Sequence, residues 1–178
     1  MSLKFLVLIS TLLWRHLVLA ESDCPIVSTV ENFNVTAYLG KWYEQEKYPI
    51  LTETFGSCIY TDYYQEDGTT RFKNNELLFN LLPLSIGGTV SVNSTSGLLL
   101  ITPDYKKTKH VPYYVLDTDY ETFAAVWTCR ENSTRGAWIL TRERTPLESA
   151  VENGRSALDR ENLSLEELRK TDQKDCKN

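Results

Sequence analysis

Short runs of β-branched, aromatic and aliphatic residues alternate with turn residues through the middle of the chain. We predict eight strands at these runs, over residues 41–47, 58–65, 69–78, 86–93, 98–102, 112–117, 122–130 and 136–144. No run with a helical period separates consecutive strands, so the crossover helices that parallel strands require are not predicted. The pattern therefore predicts an all-β antiparallel meander, closed as a sandwich or as a barrel.

A helical period follows the last predicted strand. Thr145 is predicted as the N-cap, with Pro146 at the first helical position. Apolar or small residues then recur along one stripe of the helix, at Leu147, Ala150, Val151, Gly154 and Leu158. Because the opposite face is charged, we expect this helix to lie on the sheet with its apolar face down.

The first 20 residues have the pattern of a secretory signal peptide. Lys4 precedes an apolar run over residues 5–13, and small or aliphatic residues precede a predicted cleavage site at Glu21. Arg15 interrupts the apolar run well short of the roughly 20 residues that a membrane-spanning helix needs. We therefore expect a secreted chain with a single domain over residues 21–178.

The charge balance of the chain is acidic and narrows the classes of partner. Lys and Arg number 19 against 24 Asp and Glu, a formal net charge of −5. The predicted cleavage removes two basic residues, Lys4 and Arg15, and no acidic one, which makes this charge −7. With no basic run longer than Lys106-Lys107, we expect no nucleic-acid partner.

Histidine content limits the catalytic and metal chemistry. After the predicted cleavage, His110 is the one histidine that remains. Zinc sites with several histidine ligands and catalysis built on more than one histidine are therefore not expected. Gly87-Gly88 lacks the lysine and the helix of a phosphate-binding loop, so no nucleotide is predicted. We predict neither a metal nor another cofactor.

Cysteines and glycosylation triplets agree with secretion. The four cysteines, an even number, predict two disulfides in an oxidising compartment, and the count alone leaves three pairings open. Asn-x-Ser/Thr triplets, which predict surface glycosylation, begin at Asn34, Asn93, Asn132 and Asn162.

Three short motifs resemble the signature blocks of the lipocalin family. Gly40-Lys41-Trp42 resembles the Gly-x-Trp block, Thr118-Asp119-Tyr120 resembles the second block, and Arg142 stands where the third block carries its arginine. The likeness extends to the apolipoprotein D-like branch with its insect Lazarillo and bilin-binding relatives, from Cys24 to Cys176, although residues 77–109 match poorly. It implies an eight-stranded antiparallel up-and-down β-barrel with one C-terminal α-helix packed on the outside.

The same resemblance implies the structural roles of several residues. Trp42 is expected to close the base of the barrel with the guanidinium of Arg142 across its indole. The disulfide pairing implied by the family is Cys24 with Cys129 and Cys58 with Cys176. Each of these bridges closes a loop of more than 100 residues and would restrict the unfolded chain strongly.

Strand parity and positions matched to the family together predict the residues that contact a ligand. Trp138 shares a strand face with Arg142, so it is expected to point into the cavity above the base. The full set of candidate ligand-binding residues is Tyr63, Asn74, Tyr114 and Trp138. They describe an aromatic cavity with a few hydrogen-bonding groups, suited to a flat or elongated lipophilic molecule.

The resemblance implies a non-catalytic secreted carrier that binds and transports a small hydrophobic ligand, such as a fatty acid, sterol, retinoid or bilin. A pigment-binding colouration protein is an alternative that the sequence neither supports nor excludes. Glu44 and Glu46 share the strand face of Trp42, which leaves amine or eicosanoid scavenging open. A prostanoid isomerase, which would need a free thiol in the barrel, is disfavoured by paired cysteines.

An unusually apolar segment spans residues 77–86, from Leu77 to Ile86. Our favoured interpretation is that it tucks over the cavity entrance as part of the core. The alternative is that it contacts a lipoprotein, a membrane surface or a partner subunit. We expect the chain to be a monomer or a weak homodimer.

Overall fold

The computed structural model describes residues 24–49, 55–92, 96–106, 110–130 and 134–176. The predicted signal peptide and the triplets at Asn93 and Asn132 lie outside these ranges. Within them, no helix is long and apolar enough to cross a membrane.

One antiparallel sheet closes on itself to form the barrel. Its strands are β1 (Gly40–Lys47), β2 (Gly56–Glu66), β3 (Thr69–Leu78), β4 (Leu82–Val92), β5 (Leu98–Pro103), β6 (Val111–Thr118), β7 (Phe123–Arg130), β8 (Thr134–Thr141) and the short β9 (Arg169–Lys170). Consecutive strands pair from β1 to β8, β1 also pairs with β8 to close the barrel, and β9 pairs with β1. The predicted eight-stranded barrel is therefore confirmed, with one additional strand at the C-terminal end.

Two α-helices and two short 3₁₀ helices, Asp104–Lys106 and Leu165–Glu167, accompany the sheet within the described ranges. The single turn α1 (Val35–Tyr38) precedes β1, and α2 (Glu148–Arg160) packs outside the barrel against β6, β7 and β8. The helix approaches the sheet closely, because a Cβ added at Gly154 would lie 2.6 Å from Cγ2 of Ile139. The predicted position of this helix on the outside is confirmed.

The predicted start of α2 was wrong. Leu147, not Thr145, is the N-cap, and its side chain is 80% exposed rather than part of the apolar stripe. The amide of Gln45 on β1 donates to the carbonyl oxygens of Glu143 and Arg144. These bonds hold residues 143–144 alongside β1, and the helix begins only after this segment.

Apolar side chains separate into an inner and an outer cluster. The inner cluster fills the lower barrel around Trp42 and Tyr63, and the outer cluster lies beneath α2 around Trp127 and Leu158. This division follows from the alternation of side chains along each strand. Several members of the inner cluster, among them Trp42 and Tyr63, line a cavity inside the barrel.

The C-terminal residues 169–176, which we call the C-terminal strap, fill a gap between β1 and β2. The pairing of β1 with β2 ends at Tyr43. Further along β1, the short β9 pairs with Glu46 and Lys47 in place of β2. The backbone carbonyl of Asp172 accepts from the amide of Cys58 at 2.8 Å. The side chain of Gln173 donates to the carbonyl oxygens of Glu44 and Ile59, on opposite sides of the gap.

Two disulfides attach the chain ends to the barrel. Cys24–Cys129 holds the N-terminal segment against β7, and Cys58–Cys176 holds the strap against β2. The Cα atoms are 5.6 Å apart in both, and the linked residues are 105 and 118 positions apart. These are the pairings that the family resemblance implies.

Candidate ligand-binding cavity

Trp42 and Arg142 close the base of the barrel. The indole of Trp42 is fully buried, and its Nε1 donates to the carbonyl of Tyr38 at 2.9 Å. Cζ of Arg142 lies 3.8 Å from the centre of the indole ring. Its guanidinium also donates to backbone carbonyls of Tyr120, Lys41 and Ala37 at 2.9, 3.1 and 2.8 Å.

A close approach explains the glycine of the first signature motif. Gly40 has φ of 94°, a region that residues with a Cβ rarely adopt. A Cβ there would also lie 3.3 Å from Nη1 of Arg142. Gly40 therefore lets the backbone turn into β1 directly beneath the guanidinium.

The second signature motif forms the turn between β6 and β7 beside this guanidinium. Oδ1 of Asp119 accepts from the amides of Glu121, Thr122 and Phe123. Partial burial raises the pKa of Asp119, but the hydrogen bonds outweigh it and the net direction is downward. The ionised carboxylate thus fixes the turn that presents the Tyr120 carbonyl to Arg142.

Above Trp42 lies a cavity of about 180 Å³ inside the barrel. Seven of the eight long strands contribute to its wall. Its lining consists of Trp42, Glu44, Ile59, Thr61, Tyr63, Phe72, Asn74, Ile101, Val111, Tyr113, Thr128, Trp138 and Leu140. The candidates Tyr63, Asn74 and Trp138 are therefore brought together on one cavity.

Tyr114, the fourth candidate, does not line the cavity, and its assignment was wrong. On β6, Val111 and Tyr113 face the cavity, whereas Tyr114 packs against the outer cluster. The ring of Tyr113 lies 5.9 Å from that of Trp138. When two tyrosines are adjacent, residue type alone does not show which of them faces the barrel interior. The alternation of Val111, Tyr113 and Val115 is the sequence signal that indicates the inner face of β6.

A β-bulge separates the two acidic side chains that were expected on one face. The register of β1 against β8 shifts between Glu44 and Glu46. Glu44 consequently lines the cavity, whereas Glu46 points outward and pairs with Arg155 of α2, whose Nε lies 2.9 Å from Oε2. The expectation that both carboxylates enter the barrel was therefore wrong for Glu46.

The same bulge turns Lys47 into the barrel. Lys47 is 8% exposed and Glu44 3%, and Nζ of the lysine lies 3.0 Å from Oε1 of the glutamate. Oγ1 of Thr171, from the C-terminal strap, donates to the same oxygen at 2.5 Å. The cavity-lining Glu44 is therefore held in a buried ion pair and is also hydrogen-bonded to the strap.

Buried phenols are further polar groups of the barrel interior. Burial raises the pKa of Tyr63 to about 12, and it also raises the pKa of Tyr113 and Tyr38 well above the ordinary value. The nearby negative charge of Glu44 is a further, smaller cause at Tyr113. These hydroxyls therefore remain neutral hydrogen-bonding groups at physiological pH.

Exposed apolar side chains lie on one side of the barrel mouth, at the end opposite Trp42, just before β2 and along the β3–β4 hairpin. We call this group the apolar rim; it comprises Phe55, Phe79, Leu81, Leu82 and Leu84, which are 62%, 66%, 75%, 57% and 39% exposed. The rings of Phe55 and Phe79 stack with centroids 5.1 Å apart. The favoured expectation that residues 77–86 tuck into the core was therefore wrong.

A comparison with known protein families identifies the family to which this barrel belongs. A model of the lipocalin / cytosolic fatty-acid binding protein family matches residues 39–175. The chain belongs to the lipocalin family.

Individual relatives place the chain within that family. It is 33% identical to apolipoprotein D of Cavia porcellus over 86% of this chain and 84% of that protein. It is 28% identical to the Lazarillo protein of Schistocerca americana, over 84% and 74% of the two chains. The bilin-binding protein of Pieris brassicae is 27% identical over 75% and 76%.

Solved structures show the same barrel at lower identity. Insecticyanin of Manduca sexta superposes with a TM-score of 0.74 at 20% identity, over 85% of this chain and 86% of that one. The amine-binding protein of Rhodnius prolixus, in its tryptamine complex, gives a TM-score of 0.66 at 19% identity, over 84% and 86%.

Proposed function

We propose that this chain is a secreted, non-catalytic carrier that binds a small hydrophobic molecule in the barrel cavity. The observation that carries the proposal is an aromatic-lined cavity above a closed base, with Trp138, Tyr63 and Asn74 in its wall. Burial of apolar ligand surface against such a wall stabilises a complex by roughly 25 cal/mol per Å². Membership of the lipocalin family and the apolipoprotein D relatives support the same function.

The volume of the cavity favours a compact ligand. At about 180 Å³ it is smaller than the roughly 300–1,000 Å³ of pockets that enclose drug-sized ligands. A sterol, retinoid or bilin would require wall side chains to move, whereas a one- or two-ring molecule or a short aliphatic chain would not. We therefore place compact apolar molecules before the larger ligands considered from the sequence.

Secretion and glycosylation are part of the proposal. Two disulfides that tie both chain ends to the barrel support an oxidising compartment. Asn34 and Asn162 are exposed and accessible to a glycan. Intact mass of the protein secreted from eukaryotic cells, before and after enzymatic deglycosylation, tests both features; we expect an N-terminus at Glu21 and a loss of mass on deglycosylation.

The absence of a thiol supports a carrier rather than a thiol-dependent isomerase. All four cysteines of the chain are in disulfides. A prostanoid isomerase of the kind considered above would need one of them free in the barrel. Titration of the denatured, unreduced protein with a thiol reagent should detect no thiol, and a free thiol would restore the enzymatic alternative.

Binding of a fluorescent lipophilic probe tests the carrier function directly. N-phenyl-1-naphthylamine, a compact uncharged probe, should gain fluorescence on binding, and native mass spectrometry of the secreted protein should show an associated small molecule. A protein that neither binds this probe nor retains any molecule would contradict the proposal.

A pigment carrier is the second candidate function. The relationship to the bilin-binding protein of Pieris brassicae favours it, whereas the small cavity opposes it. An absorption spectrum of the native secreted protein distinguishes a pigment carrier from a carrier of a colourless molecule. A visible band that co-purifies with the protein would establish the pigment role, and a spectrum with protein absorption alone would reject it.

We also propose that the apolar rim contacts a lipid surface, from which the ligand would enter the barrel. Support comes from the five exposed apolar side chains at the mouth. Flotation with phosphatidylcholine vesicles should recover the protein, and Phe79→Asp with Leu81→Asp should abolish recovery. Leu147→Asp is the control, because Leu147 is also largely exposed but lies beside the β6–β7 turn at the base end. Failure of the unmodified protein to float would refute lipid contact.

A further inference from the structure

Residues 171–173 of the C-terminal strap close a lateral gap in the barrel wall. The pairing of β1 with β2 ends at Tyr43 and Tyr60. The next residue of each strand beside the gap, Glu44 on β1 and Ile59 on β2, lines the cavity. Within the described ranges, the cavity lining includes residues from both sides of this gap but none from the strap. The strap therefore closes the gap from the outside of the barrel.

The side chain of Gln173 lies in this gap in the place of a strand. Its Nε2 donates to the backbone carbonyl oxygens of Glu44 and Ile59 at 2.8 and 2.7 Å, one on each side of the gap. Its Oε1 accepts from Nη1 of Arg144 at 2.7 Å. Because a carboxamide has two N–H donors, both are used to join the two strands. One side chain thus does here what backbone hydrogen bonds do along the paired part of β1 and β2.

The backbone of the strap bonds to both sides of the same gap. The amide of Thr171 donates to the carbonyl of Gln45 at 2.9 Å, and the amide of Cys58 donates to the carbonyl of Asp172 at 2.8 Å. The chain on either side of residues 171–173 is fixed, by β9 before them and by the disulfide of Cys58 after them. Because it is tethered at both ends, this segment can move outward and return to the same position.

Open space lies on both sides of this segment. The cavity of about 180 Å³ is on the inside. On the outside, the strap borders an open depression of about 790 Å³, together with Arg144, Thr145 and Pro146. Side chains and loops move on timescales from picoseconds to microseconds, so residues 171–173 can leave the gap by local motion. Separation of two paired strands would instead break a ladder of backbone hydrogen bonds.

We propose that residues 171–173 form a gate over a lateral entrance to the cavity, and that Gln173 is the residue that holds this gate closed. A compact ligand enters and leaves between β1 and β2 when the gate opens. This inference rests on the proposed carrier function and adds a route of ligand exchange beside the mouth.

A gate and a ligand contact differ in their effect on binding kinetics. Loss of a contact with the ligand acts mainly on the dissociation rate and weakens affinity. Loss of a residue that holds a gate closed lowers the barrier between the free and bound states without changing the free energy difference between them. Association and dissociation then accelerate by the same factor. Because Gln173 does not line the cavity, the second pattern is expected for Gln173→Ala.

Stopped-flow fluorescence with N-phenyl-1-naphthylamine measures both rate constants. We expect Gln173→Ala to raise each of them about tenfold, with the dissociation constant unchanged within about twofold, since tenfold is the scale of one or two lost hydrogen bonds. Gln65→Ala is the matched control, because the Gln65 side chain also donates a hydrogen bond, at 2.8 Å to Thr70, but lies near the β2–β3 turn. Its rate constants should equal those of the unmodified protein.

Hydrogen exchange reports the opening of the gate independently of the ligand. Gln173→Ala should increase exchange at the backbone amides of residue 58 and Thr171, which bond across the gap. The amide of Val30, which donates to Val115 elsewhere in the barrel, should exchange as in the unmodified protein. Faster exchange without faster probe kinetics would show that the ligand does not pass the gate. Unchanged exchange at residue 58 and Thr171 would show that Gln173 does not hold the gate closed, and either result overturns the inference.

Failure of the carrier function gives a different result. If the unmodified protein binds no probe, the carrier function itself fails. If it binds the probe and Gln173→Ala raises the dissociation rate alone, the carrier function stands and the gate is refuted. Gln173→Glu decides the matter if Gln173→Ala does not fold, because it keeps the side-chain length and the acceptor for Arg144 but removes both donors. It should also raise both rate constants by one factor.

Discussion

Arg142 joins three separate parts of the chain at the barrel base. Its side chain covers Trp42 and donates to carbonyls before β1, within β1 and in the β6–β7 turn. Burial lowers the pKa of Arg142, yet a guanidinium remains charged at all physiological pH values. Arg142 therefore stabilises the closed base of the barrel, at the end opposite the mouth.

Removal of this side chain should destabilise the fold much more than it weakens ligand binding. We expect Arg142→Ala to lower the free energy of unfolding by about 2–4 kcal/mol, from the lost cation–π contact and the unpaired carbonyls. Lys41→Ala is the control, because the exposed Lys41 side chain lies over Tyr60 on the outer surface and should change stability by less than about 0.5 kcal/mol. Urea unfolding measures both; an Arg142→Ala protein with normal stability and no binding would contradict the base-closing role.

Tyr113 and Tyr114 offer a test of which tyrosine faces the ligand. Tyr113→Ala should weaken probe binding by roughly 1–3 kcal/mol, the scale of one large apolar contact. Tyr114→Ala should lower stability with affinity unchanged, because Tyr114 packs in the outer cluster. Fluorescence titration and urea unfolding of both variants provide the comparison, and the opposite assignment of the two effects would show that the parity of β6 is reversed.

Strand parity placed the side chains of Tyr63, Asn74 and Trp138 on the cavity face, as the structure has them, while their contact with a ligand stays a prediction. It failed where parity was ambiguous or interrupted. Tyr114 was misplaced because adjacent tyrosines fit either face. Glu46 was misplaced because a bulge changes parity without a residue type that marks it. Lys47 entered the barrel for the same reason.

Among the elements, the strands were predicted well and their junctions less so. Turn residues marked most strand ends, and β3 was predicted with its observed bounds. The start of β4 was predicted at residue 86 rather than Leu82, because the tight β3–β4 turn places Phe79 and Asn80 at φ of 54° and 57° without a glycine to mark it. β9 was missed because two residues form a strand only through the tertiary contact that the strap makes with β1.

The two disulfides should differ in their effect on the cavity. Each closes a loop of more than 100 positions, so loss of either should destabilise the chain by about 4–5 kcal/mol in the chain-entropy model. Cys58 and Cys176, however, hold the strap that completes the wall beside Glu44. We expect replacement of both by serine to weaken probe binding, with increased hydrogen exchange at the backbone amide of residue 58, which donates to the carbonyl of Asp172.

Replacement of Cys24 and Cys129 by serine is the control for this experiment. It removes a bridge of comparable loop length that does not contact the cavity wall, so affinity should change little where the protein remains folded. Equal loss of affinity in the two double variants would contradict the role of the strap in the wall.

For the whole molecule, buried phenols predict the response to alkaline pH. Burial raises the pKa of Tyr63 and of Tyr48 to about 12, from about 10 in the unfolded chain. A raised pKa in the folded state gives stability that is complete below pH 10 and is lost as pH rises through 10 to 12.

We therefore expect the free energy of unfolding to fall above pH 10. Tyr63 alone should account for roughly 2–3 kcal/mol by pH 12. Tyr63→Phe should make the fall shallower when urea midpoints are compared between pH 8 and 11.5. A pH dependence identical to that of the unmodified protein would show that Tyr63 is accessible to water in the folded state.

The central claim for the molecule is that its cavity is the ligand site, and tryptophan fluorescence tests it most directly. The predicted mature chain has three tryptophans, Trp42 at the base, Trp127 in the outer cluster and Trp138 in the cavity wall. We predict that N-phenyl-1-naphthylamine quenches tryptophan emission, that Trp138→Phe removes most of the quench while binding persists, and that Trp127→Phe leaves it unchanged. A quench that survives Trp138→Phe would contradict contact between the ligand and Trp138, and a quench that disappears in Trp127→Phe would place the ligand outside the barrel and contradict the account.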